Sequence, residues 1–468
     1  MRFLAKTGAT CDYYLPNRLT EGYGISAEGV DELSRRGTHV MITVDCGISA
    51  IHQIARAAQG GMDVIVTDHH EPNGPLPEAY AILNPKVENC EYPERNLAGV
   101  GVALKLCQAL AKGLGMDTAS WLDELDLAAL GTAADIVALI GENRTIVSLG
   151  YERILKTNNI GLRALIEKQG VSGAKLSTRQ IVFQLAPLIN AAGRLGDPSI
   201  GAKLLLTNDA GGARRYAAQL QEANRERQAL DRKVQQEAVG WVEENCNPEN
   251  DYGLVAYQPH WHAGVIGIAA SRLVETFYRP AFLFGQQKDG LSKGSGRSIA
   301  GVHLMEALSD CADCMENFGG HAAAAGATIK VEKIDEFRLR FNEAIRERVT
   351  PDMLAPRIDA DAEVEISCLS QKFYNILKQM EPFGPGNMRP VLVCRGLKNR
   401  YKPRIVGTRH LKMNVSAGGI AMDAIAFNFG NRLEEVRAAD SFSLAFALDE
   451  NEWNGKVSLQ MKVKGVEV

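Results

Sequence analysis

The chain has no apolar run approaching the ~18 residues that a membrane-spanning helix requires, so no such anchor is expected within it. Met1–Gly8 lacks the long apolar core of a secretory leader. Nor is there a disulfide framework: the nine cysteines are odd in number and scattered. That usage suits a reducing compartment, and a cytoplasmic location is expected. A basic excess is also missing, with 52 Lys and Arg against 56 Asp and Glu and a net charge of −4. Any grip on nucleic acid must therefore come from local patches and not from the field of the whole molecule. No tandem repeat or low-complexity tract is visible. What remains is an ordinary globular composition, 46% hydrophobic and 23% charged, over 468 residues. At ~100–200 residues per domain, that length predicts three or four domains.

The first segment alternates strands and helices. "HVMITVDCG", "MDVIVTDHH" and "AYAILNPK" read as strands; "SAIHQIARAAQGG" and "LAGVGVALKLCQALAKGLG" read as helices. Such alternation predicts a parallel sheet covered on both faces, with ligands gathering beyond the carboxyl ends of the strands. From about Ala210 to Asn245 a proline-free stretch rich in Ala, Gln, Glu and Arg predicts one long, largely solvated connecting helix. A second α/β segment follows, "YGLVAYQ" and "PAFLFGQ" as strands around the helix "GVIGIAASRLVETF". Two stretches, "KGSGRSIAG" and "FGGHAAAAG", read as glycine-bearing turns. After about Pro356, short strands separated by Gly, Pro and Asn predict a small all-β module, expected to be a barrel.

The sharpest local signal is "VIVTDHHEP". A buried-strand pattern runs straight into Asp68, His69 and His70. Carboxylate and imidazole together suit Mn²⁺, Zn²⁺ or Fe²⁺. One such cluster cannot fill an octahedral shell. Asp45 in "TVDCG" ends the neighbouring strand and is a natural second contributor. Asp135 in "LGTAADIVAL" is a third candidate, although an aspartate there also reads as a helix cap. Paired histidines are not what a cap calls for, so Asp68-His69-His70 reads as a metal site.

Taken in order, "VDCG", "VTDHH", "NPK", "LAGVGVA" and "GTAADIVAL" resemble the DHH phosphoesterase superfamily. The later "APLINAAGRLG", "WHAGVIGIAASR", "KGSGRSIAG" and "FGGHAAAAG" narrow the resemblance to its RecJ branch of bacterial single-strand-specific DNA exonucleases, over essentially the whole chain. The resemblance implies a multidomain α/β protein. Its parts would be a parallel-sheet DHH domain (1–160), a helical connector with the long helix (161–245), an α/β DHH-associated domain (246–352) and a C-terminal OB-fold β-barrel (353–468). It implies 5′→3′ hydrolysis of single-stranded DNA in recombination and repair, with two divalent ions, Mn²⁺ or Mg²⁺. Asp45, His69 and Asp135 would be metal ligands, His70 would contact the scissile phosphate and Asp68 would hold the histidine pair. Single-strand-binding protein and recombination or mismatch-repair helicases are the implied partners, and a monomer the implied state.

The family's first acidic motif is absent. "MRFLAKTGAT" contains no Asp or Glu, and "YYLPNRLTEGYGIS" matches the stretch that follows that motif. The expectation is therefore a catalytic domain lacking its first strand, with an exposed sheet edge and weak or absent activity. Two rivals stay open: a DHH phosphodiesterase acting on oligonucleotides or cyclic dinucleotides, and a non-catalytic DNA-binding relative.

For grip on DNA, Arg18 is expected near the metal rim. Arg194, Ser295 and Arg297, with amides freed by Gly294 and Gly296, are expected in a pocket that the resemblance makes the 5′-phosphate site. His321, after Gly319 and Gly320, is expected at a substrate-cleft turn. Between Arg389 and Lys412 stand eight Lys or Arg and no Asp or Glu. Arg400, Lys402, Arg404, Arg409 and Lys412 around Tyr401 predict a surface that tracks phosphates and stacks bases. Phe427 reads as core. Cys311 and Cys314, a lone C-x-x-C in an expected helix, read as structural. Trp261 reads as a buried aromatic and His262 as a helix cap.

Overall fold

The computed structural model describes residues 1–17, 21–22, 24–171, 176–247, 250–286, 288–453 and 455–468. The β-branched runs near the start form Val40–Val44 (β1), Asp63–Thr67 (β2) and Ala81–Leu83 (β3), paired in parallel in that order. Ile42 lies opposite Ile65, and Val66 opposite Ile82. Met41, Val64 and Val66 bury one face against Val30 of Ala27–Arg35 (α1) and against Ile54 and Ala57 of Ile51–Gln59 (α2). β1 is an edge strand, and Val40 and Val44 on it are about half exposed. Gly99–Gly113 (α3), Leu125–Ala134 (α4) and Gly141–Leu155 (α5) begin an all-helical layer, continued by Ala186–Leu195 (α6). Leu130, Ile146, Ile154, Leu188 and Leu220 share its core.

The expected connector is one helix, Ala210–Asn245 (α7), capped by Asp209 on the amides of Gly211 and Gly212. At ~1.5 Å per residue it runs about 54 Å. Its ends are not solvated. Ala213, Ala217 and Leu220 enter the helical core, while Val234, Ala238 and Val242 enter the core of the next module. The first trio is spaced by four and three residues and the second by four and four, which puts each on one face.

That next module has Leu254–Gln258 (β4), Ala263–Phe277 (α8), Ala281–Gln286 (β5), Leu291–Arg297 (β6), Met315–Gly320 (β7), Ala324–Lys330 (β8) and Ile334–Arg346 (α9). The strand order is β4-β5-β6-β8-β7, parallel only between β4 and β5. Two expected turns are corrected here. "KGSGR" lies within β6, and "FGGHAAAAG" is the end of β7, a tight turn and β8. The glycines of β6 make room for rings: a Cβ at Gly294 or Gly296 would lie 2.3 Å from the ring of Phe284 or Phe282. Those rings, with Phe337 and Phe341 of α9, form a fully buried aromatic cluster. A sequence window cannot distinguish glycine used for a turn from glycine used for close packing in a strand. The C-x-x-C is not helical throughout either. Cys311 follows the short helix Leu304–Ser309, and Cys314 closes a 3₁₀ turn before β7. Both thiols are buried, and burial pushes that of Cys311 up to about 12, which fits the structural reading.

The C-terminal module departs from the expected barrel. Its strands are Ala362–Glu363 (β9), Leu392–Asn399 (β10), Arg404–Val406 (β11), His410–Ala417 (β12), Ile420–Ala426 (β13), Phe442–Trp453 (β14) and Lys456–Glu467 (β15). They form one seven-stranded sheet in the order β11-β12-β13-β15-β14-β10-β9. β10 meets β12 only at Lys398–Ser416 and Asn399–Val415, and β11 and β9 remain edges. Register shifts within β10 and at Ala445–Phe446 interrupt the ladders, and the sheet is not closed.

Candidate metal centre and phosphate patch

Parallel pairing delivers the first site. Asp45 N–H donates to Thr67 O at 3.0 Å, and Asp68 N–H to Leu83 O at 3.0 Å, so the ladder carries both aspartates to one rim. Thr67 Oγ1 donates to Thr43 O and Thr43 Oγ1 to Cys46 O, tying the two strand ends together. Asp45 has φ 63, an uncommon conformation for a residue with a side chain. Gly99, at the start of α3, leaves the space its carboxylate fills: a Cβ there would be 2.4 Å from Asp45 Oδ1.

Asp45, His69 and His70 bring ligand atoms within 4.8 Å of one another, the one such group among the described residues. His69 Nε2 lies 3.0 Å from Asp45 Oδ1 and 3.5 Å from Asp135 Oδ2. Asp135 is the C-cap of α4, so the capping position and the rim position coincide. Asp45 Oδ1 and His69 Nε2 are both buried and neither makes a hydrogen bond. Buried polar atoms are seldom left so. Adjacent ligands held ~2.0–2.2 Å from an ion stand about 3 Å apart, so these donors fit a divalent cation.

Asp68 does not join that set. It is 1% exposed and accepts from the amides of Ile48, His69 and His70 and from His70 Nδ1 at 2.7 Å. Burial would raise its carboxyl, but these hydrogen bonds outweigh burial and hold it below its ordinary value. The same bond from Asp68 raises His70. Burial raises Asp135, against the opposing pull of His69.

The second site is basic. Arg194 of α6 donates through Nη1 to Gly264 O, 3.2 Å away in the first turn of α8. One turn on, a Cβ at Gly267 would lie 2.9 Å from Ser295 Oγ and 3.0 Å from Arg297 Nη2. Small residues on α8 thus bring Arg194, Ser295 and Arg297 around one helix end, which His262 caps by accepting from Gly264 N–H, while Trp261 is buried. Arg297 donates to Ser295 Oγ and Gly296 O and has no ion pair among the described residues. Burial lowers its pKa. The expected amides of Gly294 and Gly296 do not line this patch as a turn, because they lie in the β6 ladder. His321 is exposed at the β7–β8 turn, close to Ala324, the register partner of Arg297. Arg18 lies outside the described residues.

In the C-terminal sheet, Arg400, Tyr401, Lys402, Arg404 and Arg409 are exposed on and around the β11–β12 hairpin. Tyr401 is 63% exposed, with the Arg400 guanidinium 5.4 Å from its ring centre. Lys412 differs, being paired with Asp423 at 2.9 Å. Phe427, expected in the core, is 50% exposed and packs edge-on against His410.

Residues 1–132 match the DHH family N-terminal domain, 250–347 the DHHA1 domain and 360–465 the RecJ OB domain. Fold and rim together define a DHH-family protein. More particularly, the chain belongs to the RecJ family. It is 39% identical to the "Single-stranded-DNA-specific exonuclease RecJ" of Salmonella typhimurium, over 97% of this chain and 82% of that protein. It is 38% identical to the protein of that name from Bacillus subtilis, over 99% of this chain. It spans only 58% of the length of that Bacillus relative. The crystal structure of RecJ in complex with Mn²⁺ from Thermus thermophilus superimposes with a TM-score of 0.85 at 31% identity, over 100% of this chain and 66% of that one. Gly99 and Gly267, which shape both sites, carried no chemical signal in the sequence; only the close approaches reveal them.

Proposed function

We propose that this chain is the catalytic part of a metal-dependent exonuclease that shortens single-stranded DNA from its 5′ end, in recombination and repair. The observation that carries the reading is the pair of buried, unbonded atoms, Asp45 Oδ1 and His69 Nε2, facing each other beside Asp135. Asp45, His69 and Asp135 would hold a cation, Mn²⁺ or Mg²⁺, and the reading calls for two such ions. Bound there, such ions lower the pKa of a water and stabilise charge on a phosphodiester. Asp68 fixes His70 through Nδ1, which leaves the other ring nitrogen to meet the scissile phosphate. Arg194, Ser295 and Arg297 receive the 5′ phosphate, a bidentate task suited to Arg297, which has no ion pair among the described residues. His321 borders that patch, and Arg18 is a further candidate for contact with the strand. Arg400, Tyr401, Lys402, Arg404 and Arg409 guide the strand without reading its sequence. Single-strand-binding protein and helicases remain the partners this role calls for, with the chain acting as a monomer.

The test is digestion of a 5′-phosphorylated, 3′-labelled single-stranded oligonucleotide with Mn²⁺, against a chelator control and Asp45→Ala. Stepwise shortening that both controls abolish is expected, at a rate kept low by the missing first acidic motif. Oligonucleotide binding without shortening would overturn the catalytic reading and favour the DNA-binding relative.

A further inference from the structure

The metal rim is tied to the C-terminal module by a continuous path of close contacts. Asp135 ends α4, and Ile136 after it turns the chain with φ 61. Segment 136–140 then leads into α5. Asn143, fully buried near the start of α5, donates through Nδ2 to Asn96 O at 2.5 Å and to Ala138 O at 3.1 Å. Its Oδ1 accepts from Ala98 N–H at 3.2 Å. Ala98 precedes Gly99, the residue under the Asp45 carboxylate. One buried amide therefore ties the segment behind Asp135 to the segment beneath Asp45.

The other side of 136–140 is closed by the turn 383–387. Leu139, 1% exposed, donates its N–H to Pro385 O at 2.6 Å. A Cβ at Gly384 would lie 2.5 Å from Leu139 Cδ1, and one at Gly386 3.2 Å from Ala138 Cβ. The turn is itself stiffened: Asn387 Nδ2 donates to Met380 O and Pro382 O at 2.9 and 3.0 Å. Arg144, beside Asn143, reaches out through Nη2 to the carbonyls of Gln379, Met380 and Glu381 at 3.4, 3.1 and 3.3 Å. A module tethered only to deliver DNA needs no glycine-close packing on the loop behind a metal ligand. Groups that orient ligands commonly change metal affinity ~10–100-fold when altered.

We propose that turn 383–387, with Asn143 and Arg144 as positioning residues, braces Asp135 against Asp45, so that the C-terminal module sets the cation affinity of the N-terminal site. This rests on the metal-site reading above. The measurement is Mn²⁺ titration of the full chain followed by electron paramagnetic resonance, without DNA. Gly384→Ala, which pushes on Leu139, is expected to weaken Mn²⁺ binding ~10-fold. Adding Leu139→Ala removes the clash and is expected to recover part of that loss. Arg144→Ala, which removes the three bonds to the carbonyls before the turn, is expected to weaken binding a few-fold. Leu444→Ala, a core change in the same module away from the turn, controls for loss of stability and is expected to leave Mn²⁺ affinity unchanged. Wild-type affinity in both Gly384→Ala and Arg144→Ala, with loss in Asp45→Ala, overturns the brace alone. Equal affinity of wild type and Asp45→Ala overturns the metal-site reading and the brace with it. Equal loss in Leu444→Ala and Arg144→Ala also overturns the brace.

Discussion

The rim around Asp45 and the patch around Arg297 are opposite in charge and built by opposite means. The rim sits where regular structure stops. Its aspartate takes a left-handed backbone, its donors are left unbonded, and a glycine across from it is held empty. The patch sits inside regular structure, with Ser295 and Arg297 on a central strand whose glycines are filled by phenylalanine rings. Glycine therefore does two jobs here. At Gly99 it makes space for the Asp45 carboxylate, and at Gly294 and Gly296 it makes space for a core. An acidic site for cations needs converging side chains and tolerates strain. The basic patch instead presents one half-buried guanidinium, Arg297, that pairs with no carboxylate among the described residues.

The difference can be broken first at Gly99. Gly99→Ala places a methyl group 2.4 Å from Asp45 Oδ1. Mn²⁺-dependent digestion should fall ~100-fold, as for a residue that orients a ligand, with little change in melting temperature. An active Gly99→Ala enzyme would show that Asp45 does not need that position. Next is Arg297→Ala. Loss of a charge-assisted contact of ~1.5–3 kcal/mol should raise KM about 10-fold or more for a 5′-phosphorylated strand. A 5′-hydroxyl strand should be nearly indifferent; equal effects on both ends would remove Arg297 from end recognition. Third, Gly294→Ala should lower stability by ~1–3 kcal/mol in urea unfolding, as overpacking does. Its kcat, measured well below the transition, should stay close to wild type, because the clash is with Phe284 and not with Arg297. Smallest is the C-terminal hairpin. Tyr401→Ala should cost ~1 kcal/mol of single-strand affinity, the low end for a stacked base. Arg404→Ala should lower the salt dependence of binding more than Lys412→Ala, because Lys412 already faces Asp423.

Much of the rim was legible beforehand. "TVDCG" and "VTDHH" each join a strand pattern to metal-binding chemistry, and parallel pairing leaves few places for them other than side by side. The connector could be read too, since 36 residues without proline or a helix-stopping signal have one easy conformation. The β6 glycines were misread because a turn and a packed strand present the same letters. The barrel was over-read because strand count and spacing say nothing about whether the last ladder closes. Phe427 was assigned to the core by type, yet its place beyond the end of β13 leaves half of it in solvent.

The sequence alone determined the order of modules, the strand ends that carry Asp45 and His69, and the basic run from Arg389 to Lys412. These depend on local periodicity and on residue chemistry, which neighbours in the chain share. Tertiary structure decided which glycines face a carboxylate and which face a ring, that Lys412 is paired with Asp423, and that Pro385 meets Leu139 behind Asp135. Those outcomes depend on how closely distant elements approach, and close packing makes differences of a few tenths of an ångström decisive.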